Sequence, residues 1–194
     1  MEDFILASQS PRRKLLLEWA ELPFEIIVRS TDETYPLDMP IAEVPIYIAK
    51  QKALAVQAYL QTAFHKQYIG KTILAADTIV VLDGKVIGKP KDRLDAINIL
   101  TALSGKTHQV VTGVVILHAK GEIAFSDITE VQFHPLTPEQ IIFYVDKYQP
   151  YDKAGAYAIQ EWIGVVGIAS ITGDFYNVMG LPVSRVIQAL QSIT

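Results

Sequence analysis

Short apolar runs alternate along this chain with longer segments in which apolar side chains recur at helical spacing. The pattern predicts strands near residues 5–7, 24–28, 72–82, 85–87, 109–118, 122–133 and 165–170. It predicts helices over 12–19, 44–60, 92–103, 137–148 and 183–192. Because a hairpin signal at Asp83-Gly84 occurs among the strand–helix crossovers, we expect an α/β or α+β fold with a mixed sheet.

The first strand-to-helix corner combines features that suit a phosphate group. Ser10 stands where an N-cap is expected and Pro11 at the first helical position, so the helix begins with free backbone N–H groups. Arg12 and Arg13 follow at once, and guanidinium groups match phosphate oxygens with paired donors. Capped helix starts with a surface arginine pair also occur in proteins that bind nothing there, so the corner alone leaves both interpretations open.

Asp77 is the one charged residue in an aliphatic run that otherwise has the pattern of a buried strand. A carboxylate at such a position needs a partner, a metal or a raised pKa, and such carboxylates concentrate at functional sites. The alternative is an aspartate at a strand end that accepts hydrogen bonds from the backbone. In a regular strand Thr78 points to the opposite face, whereas a bulge or strand end would bring both residues to one pocket.

Other charged residues are candidates for the same site. Lys52 lies in the helical segment 44–60, and Lys89 lies between a glycine and a proline in a loop. Asp32 and Glu33 lie together in a polar loop and offer the oxygen ligands that magnesium or manganese prefers. Considered singly, surface lysines and acidic loops are more often solvated than functional.

Composition narrows the class of protein. The 194 residues are half hydrophobic and carry a net charge of −4 with a pI near 5.5, which argues against binding to a nucleic acid polymer. The absence of cysteine excludes disulfides, thiolate metal sites and cysteine nucleophiles. The acidic start Met1–Asp3 is unlike a signal peptide, and no apolar run reaches the length of a membrane span. We therefore expect a cytoplasmic protein without a membrane association.

Familiar nucleotide-binding motifs are absent from the sequence. Residues 104–108, SGKTH, are similar to the end of a P-loop, but Leu100 replaces the glycine required earlier and the segment is predicted to end a helix. Neither a dinucleotide fingerprint nor a nucleophile elbow occurs.

Four separate segments, taken together, resemble the Maf family of nucleoside triphosphate pyrophosphatases. In family order and spacing they are LASQSPRR at 6–13, ADTIV at 76–80 with GKP at 88–90, SGKTH at 104–108, and YDKAGAYAIQ at 151–160. The GLP sequence at 180–182 matches as well. Each segment alone is modest evidence for the family, but the combination of segments is highly specific to it.

The resemblance implies an α/β fold with a mixed, elongated sheet flanked by helices, similar to that of inosine triphosphate pyrophosphatases. It implies a single domain over residues 1–194, with the active site in a cleft. It also implies that a nucleoside triphosphate is hydrolysed between its α- and β-phosphates to the monophosphate and pyrophosphate. A divalent metal cofactor, Mg²⁺ or Mn²⁺, and a homodimer are further implications.

Roles transfer from the family to the matching positions of this sequence. Asp77 would be the catalytic base that orients or deprotonates the attacking water, and it would share the metal with Glu33. The positions implied in phosphate binding are Ser8, Arg12, Arg13, Lys52 and Lys89.

Selection of the base is associated in the family with Arg12, Thr78 and Gln160. Thr78 and the segment ending at Gln160 resemble the branch that prefers dTTP and UTP. A glutamine amide offers the donor and the acceptor that the uracil and thymine edges require. The chain departs from the family where Glu161 follows, at a point where a glycine is more common, and this would add bulk and charge near the base pocket.

Three hypotheses about function follow from these observations. The first is an enzyme that hydrolyses dTTP and UTP and removes unwanted or modified nucleotides. The second is a regulatory nucleotide-binding protein that arrests division through a cell-division protein partner. Asp77 argues against the second, because anion binding gains nothing from a carboxylate unless a metal intervenes. The third is a purine-type pyrophosphatase that acts on ITP or XTP.

Overall fold

Strands and helices alternate along the chain as the sequence pattern predicts. A computed structural model describes residues 3–62 and 67–193, so the acidic start at Met1–Glu2 lies outside the described residues. In chain order the elements are β1 (Phe4–Leu6), α1 (Pro11–Trp19), β2 (Phe24–Ile26), α2 (Val44–Leu60), β3 (Ile73–Leu82), β4 (Lys85–Ile87), α3 (Arg93–Leu103), β5 (Thr107–His118), β6 (Gly121–Phe133), α4 (Pro138–Tyr148), a 3-10 turn (Ala154–Ala156), α5 (Trp162–Gly167), β7 (Ile168–Thr172), α6 (Phe175–Met179) and α7 (Val183–Gln191).

The strands form one mixed sheet. Its order is β2-β1-β3-β5-β6-β7, and β4 pairs with β3 outside this path. β1 runs parallel to β2 and to β3, whereas β4 is antiparallel to β3 and β7 is antiparallel to β6. The expected α/β architecture with a mixed sheet and flanking helices is therefore confirmed. None of the helices within the described ranges is both long and apolar enough to cross a bilayer.

Backbone contacts group the chain into two compact units. The first comprises Met1–Asp77, Thr112–Asp127 and Gly180–Thr194, and the second comprises Thr78–Val111 and Ile128–Met179. The expectation of one domain over residues 1–194 stays a prediction.

The core of the first unit forms where α2 packs on the sheet. Apolar residues of α2 at helical spacing contact apolar residues of the central strands, and the cluster contains Ile5, Ala7, Ala49, Ala53, Val56, Leu60, Ile73, Ala75, Val115 and Leu117. Gly113 on β5 permits a close approach at the start of α2. A Cβ there would lie 2.2 Å from the backbone nitrogen of Ile46 and 2.3 Å from the carbonyl carbon of Pro45. This contact helps to set the position of the helix that carries Lys52.

Side-chain caps form at three helix starts, including the Ser10 cap that the sequence predicts. The Ser10 side chain accepts a hydrogen bond from the backbone N–H of the third helical residue, and Asp92 does the same at the start of α3. Thr137 and Gln140 form a reciprocal capping box at the start of α4. These local signals act over three residues, so tertiary packing is not needed to recognise them.

The prediction of a strand over 165–170 is wrong in its first half, which lies in α5. Val165 is 83% exposed, so its apolar character does not mark a buried strand. The backbone N–H of Gly164 donates to the Glu161 carbonyl at 2.9 Å and starts the helix. Gly164 also packs so closely on the chain that a Cβ would lie 1.7 Å from the Ile159 carbonyl oxygen. The lack of a side chain at Gly164 permits this close contact, which the neighbouring β-branched residues do not reveal.

Candidate active site

Arg13 is buried in the corner between β1 and α1. Its side chain is anchored on two sides, because Nε donates to the Gly180 carbonyl at 2.7 Å and Nη1 donates to Ser8 Oγ at 3.1 Å. Only 8% of Arg13 is exposed, whereas Arg12 is half-buried. The corner therefore contains one guanidinium held in a defined orientation and a second that is more accessible to solvent.

The Ser8 hydroxyl has its acceptor capacity in use. Ser8 is buried, and its Oγ accepts hydrogen bonds from Arg13 Nη1 and from the backbone N–H of Ser10, the latter at 3.2 Å. A serine hydroxyl has two acceptor lone pairs and one donor hydrogen. The hydrogen is thus the group with which Ser8 can contact an anion.

Lys52 on α2 joins two carboxylates that lie far from it in sequence. Its Nζ lies 2.6 Å from Asp77 Oδ1 and 2.7 Å from Glu33 Oε1. The side chains of Asp77 and Lys52 are 13% and 17% exposed, and that of Glu33 is 46% exposed. Asp77 and Lys52 are therefore largely withdrawn from bulk water. An ion pair in this partly buried position is screened less than an ion pair at the surface.

Charge connects the arginine corner with these carboxylates. Burial is the largest cause of a lowered pKa at the Arg13 guanidinium. The Asp77 carboxylate opposes this lowering, the Arg12 charge reinforces it, and Glu33 opposes it. The Arg13 guanidinium remains charged, because arginine is not deprotonated in proteins. Cationic and anionic groups of the first unit therefore act on one another within a single site.

The loop that carries Glu33 follows one face of α2. Lys52 and Tyr59 are two helical turns apart on that face. The guanidinium carbon of Arg29 lies 3.2 Å from the centre of the Tyr59 ring, and Glu33 reaches Lys52 four residues further along the loop. A cation–π contact at one point and an ion pair at another therefore hold the loop against the helix.

The two acidic residues of this loop have different partners. The Asp32 carboxylate accepts a hydrogen bond from the backbone N–H of Thr34 at 3.1 Å and so stabilises its own loop. The Glu33 carboxylate instead pairs with the Lys52 ammonium, which also pairs with Asp77. Between residues 3 and 62 and between 67 and 193, no three histidine, aspartate or glutamate side chains assemble into a metal site. The Glu33 and Asp77 carboxylates, which converge on the Lys52 ammonium, nevertheless match Mg²⁺. This ion takes few protein ligands and completes its shell with water and substrate phosphates.

The predicted site residues divide between the two units. The first unit brings together Ser8, Arg12, Arg13, Glu33, Lys52 and Asp77. Thr78 is half-buried on the continuation of β3 in the second unit. Lys89 is exposed in a loop whose Gly88 carbonyl accepts a hydrogen bond from the backbone N–H of Gly155 at 3.1 Å. Gln160 is exposed directly after five buried residues.

The polar network around Gln160 was not predicted from the sequence. The Glu161 carboxylate accepts a hydrogen bond from the Tyr144 hydroxyl and lies 3.6 Å from Lys153 Nζ. Glu161 is the residue at which this chain departs from the family pattern. Its negative charge is thus paired within the second unit. The bonded residues are far enough apart in sequence that no local pattern marks them. The one available signal was a lysine at the edge of the mostly apolar segment 154–159.

His108, from the segment similar to a P-loop end, is a buried core residue. Its Nε2 lies 2.7 Å from the Tyr157 hydroxyl, and its ring stacks on Phe133 with the centroids 5.4 Å apart. Burial lowers the pKa of His108 from 6.5 to about 4, because water no longer stabilises the imidazolium. Burial also raises the pKa of the Tyr157 hydroxyl, so both groups are neutral at pH 7.

This lowered pKa predicts a loss of stability on acidification. Between pH 6.5 and about 4 the unfolded chain binds a proton at His108 that the folded chain does not, so the free energy of unfolding falls as the pH drops. The lowering of the His108 pKa from 6.5 to about 4 corresponds to a loss of about 3 kcal/mol in the free energy of unfolding once the pH is below both values. Urea unfolding of the wild type and of His108→Asn at several pH values measures it. We expect the variant to have the shallower pH dependence of the free energy of unfolding between pH 7 and 4. Equal slopes in the wild type and His108→Asn would contradict the assignment.

The sequence of this chain matches a known protein family along nearly its whole length. The profile of the family described as Maf-like protein matches residues 3–193. A protein of Bacteroides thetaiotaomicron named dTTP/UTP pyrophosphatase is 47% identical over 192 residues, covering 97% of this chain and 95% of its own. A protein of Cytophaga hutchinsonii with the same name is 48% identical over 191 residues, covering 98% of this chain and 84% of its own.

Comparison with solved structures supports the fold. The structure of the Staphylococcus aureus Ham1 protein superposes on the whole chain with a TM-score of 0.52 and is itself fully covered. At 16% identity this likeness concerns the fold alone, and it confirms the fold class that the resemblance implied. Because the family profile spans almost every residue and relatives align along nearly their full length, the chain belongs to the Maf family.

Proposed function

We propose that this chain is a nucleoside triphosphate pyrophosphatase that converts dTTP and UTP into the monophosphate and pyrophosphate. The observation that carries the proposal is the withdrawn Asp77 carboxylate, 2.6 Å from the Lys52 ammonium. A carboxylate in this setting suits proton abstraction more than anion binding. The names of the two relatives, both dTTP/UTP pyrophosphatase, support the reaction and the choice of nucleotide.

Asp77 is the base in the proposed reaction. Its carboxylate orients a water molecule and accepts a proton from it as the water oxygen bonds to the α-phosphorus. The α–β anhydride bond breaks, and the bridging oxygen leaves with the bonding electrons as part of pyrophosphate. Lys52 serves two purposes, because its ammonium pairs with the Asp77 carboxylate before the reaction and neutralises charge that develops on the phosphates.

The arginine corner binds the phosphate chain in this proposal. Arg13 is pre-oriented by its bonds to Gly180 and Ser8, so little side-chain entropy is lost when it meets a phosphate oxygen. Ser8 contributes its hydroxyl hydrogen, and the more accessible Arg12 contributes a second guanidinium. Lys89 of the second unit is proposed to bind phosphate as well.

Glu33 and Asp77 would hold a divalent cation, Mg²⁺ or Mn²⁺. Both are hard oxygen ligands, and both already converge on a positive charge. When bound, such a cation supplies charge neutralisation to the phosphate oxygens.

Arg12, Thr78 and Gln160 are proposed to select the base. Gln160 is exposed, so its amide can contact a ligand, and it offers both the donor and the acceptor that uracil and thymine require. In a cell, the enzyme would remove unwanted or modified nucleotides. The homodimer, the cytoplasmic location and the link to a cell-division partner stay predictions.

Pyrophosphate release from a panel of nucleoside triphosphates tests the function. The panel contains dTTP, UTP, dCTP, ITP and XTP, each with Mg²⁺, with Mn²⁺ and with EDTA, for the wild type and Gln160→Ala. We expect release to be fastest with dTTP and UTP and to disappear with EDTA. We expect Gln160→Ala to lower kcat/KM for dTTP and UTP by about tenfold, because an amide that pairs with the base edge is lost.

The other outcomes distinguish the alternatives. Activity confined to ITP and XTP would retain the chemistry and overturn the base assignment. Full activity in EDTA would overturn the metal requirement. Nucleotide binding without turnover of any substrate would contradict the enzyme and favour the regulatory hypothesis.

A further inference from the structure

Gln160 occupies a tight turn whose two ends meet at one hydroxyl group. The backbone N–H of Glu161 donates to the Ala158 carbonyl at 3.0 Å and closes the turn. The backbone N–H of Ala158 donates to the Tyr144 hydroxyl oxygen at 3.1 Å. The same hydroxyl donates to the Glu161 carboxylate. One oxygen atom on α4 thus binds the residues at both ends of the turn and leaves Gln160 between them.

Tyr144 is itself held firmly. Its side chain is fully buried, and its ring stacks on that of Tyr148 with the centroids 5.0 Å apart. α4 is fixed at its start by the capping box and packs against α3. The hydroxyl that closes the turn is therefore attached to a rigid part of the second unit.

The chain on either side of the turn is constrained as well. Before it, Gly155 adopts a φ of +72° and packs on Val80, where a Cβ would lie 2.8 Å from Val80 Cγ2. After it, Gly164 packs on the Ile159 carbonyl. Lys153, which is buried, lies 3.6 Å from the Glu161 carboxylate and adds a charge contact to the same end of the turn. These contacts limit how far the turn can shift.

We propose that Tyr144 is a positioning residue for base selection, because its hydroxyl joins both ends of the turn that presents Gln160. This inference rests on the proposed function of Gln160 in contacting the base. An amide distinguishes one base edge from another only if its oxygen and its nitrogen lie at fixed places. Tyr144 provides that placement from a distance and does not itself touch the nucleotide.

Loss of the hydroxyl should weaken selection without removing the chemistry. In Tyr144→Phe the backbone N–H of Ala158 and the carboxylate of Glu161 lose their shared partner, and the turn gains freedom. Asp77 and Lys52 lie in the first unit and retain their own contacts. The change should therefore appear in KM for the favoured nucleotides more than in kcat.

The test compares kcat and KM for dTTP, UTP and ITP in three proteins, namely the wild type, Tyr144→Phe and Tyr148→Phe. We expect Tyr144→Phe to reduce the ratio of kcat/KM for dTTP to that for ITP by about tenfold, mainly through a higher KM for dTTP, as loss of a hydrogen bond to a charged group would predict. Tyr148→Phe is the matched control, since it removes a hydroxyl from the neighbouring ring and leaves the Tyr144 hydroxyl in place. We expect it to keep the wild-type ratio.

Glu161→Ala supplies a second variant in case Tyr144→Phe does not fold. It removes the other side-chain contact of the hydroxyl from a half-buried position, and it should lower the same ratio. An unchanged ratio in folded Tyr144→Phe or Glu161→Ala would overturn the inference, as would an equal fall in kcat for all three nucleotides. Absence of turnover in the wild type would instead contradict the proposed function, so the two failures are distinguishable.

Discussion

Asp77→Asn is expected to lower kcat for pyrophosphate release from dTTP by about 10²- to 10⁴-fold, the range that a positioned general base contributes. Asparagine fills the same space as aspartate but cannot accept the proton of the attacking water. Lys52 keeps its contact with Glu33 in this variant, so the loop should remain in place. Steady-state pyrophosphate release, with nucleotide binding measured on the same samples, tests the expectation.

Asp83→Asn is the matched control for this variant. Asp83 follows the same strand, is exposed, and pairs with Lys106 outside the first unit. It should keep wild-type turnover. If Asp77→Asn bound nucleotide and still turned it over at the wild-type rate, another group would have to be the base. If it lost binding as well, the carboxylate would be needed to form the site rather than to abstract the proton.

The largest expected effect on stability comes from Gly113→Ala. The added methyl group would lie 2.2 Å and 2.3 Å from backbone atoms of Ile46 and Pro45, which cannot rotate away as a side chain can. Either α2 or β5 must move, and we expect the free energy of unfolding to fall by about 3 kcal/mol. Urea unfolding followed by circular dichroism measures this change.

Gly88→Ala provides the matched control. Gly88 lies in an exposed loop, and an added Cβ would have nothing within 4 Å. Its backbone conformation is one that alanine can adopt, so we expect its unfolding midpoint to equal that of the wild type or to lie slightly above it. Equal midpoints for the two variants would show that the start of α2 yields easily. A midpoint lowered only in Gly113→Ala would tie the position of α2, and with it of Lys52, to this contact.

Much of the fold follows from signals that act over a few residues. Ser10, Asp92 and Thr137 each cap a helix because their side chains reach a backbone N–H three positions on. Asp83-Gly84 reverses the chain because both residues adopt positive φ. The exception at Val165 is informative, since two valines favour a strand locally while the folded chain forms α5 there, with Gly164 packed closely on Ile159.

The candidate site shows a similar division. The opening segment indicates an anion site, and Asp77 is conspicuous because a charge interrupts an apolar strand. The sequence does not show that Arg13 is anchored by Gly180, or that Glu33 and not its neighbour Asp32 shares a cation with Asp77. These pairs are separated by up to 167 residues, and only the folded chain brings them together.

By itself, the sequence determined the helix starts, the hairpin, the fold class, the family and the residues that bear charge. These properties depend on residue type and on spacing within a turn or strand, which can be recognised along the chain. Tertiary structure alone decided which charges meet, which glycines permit close approach, and how the Gln160 turn is closed by Tyr144. Such contacts depend on where distant segments pack, and packing is a property of the complete core and not of any local segment.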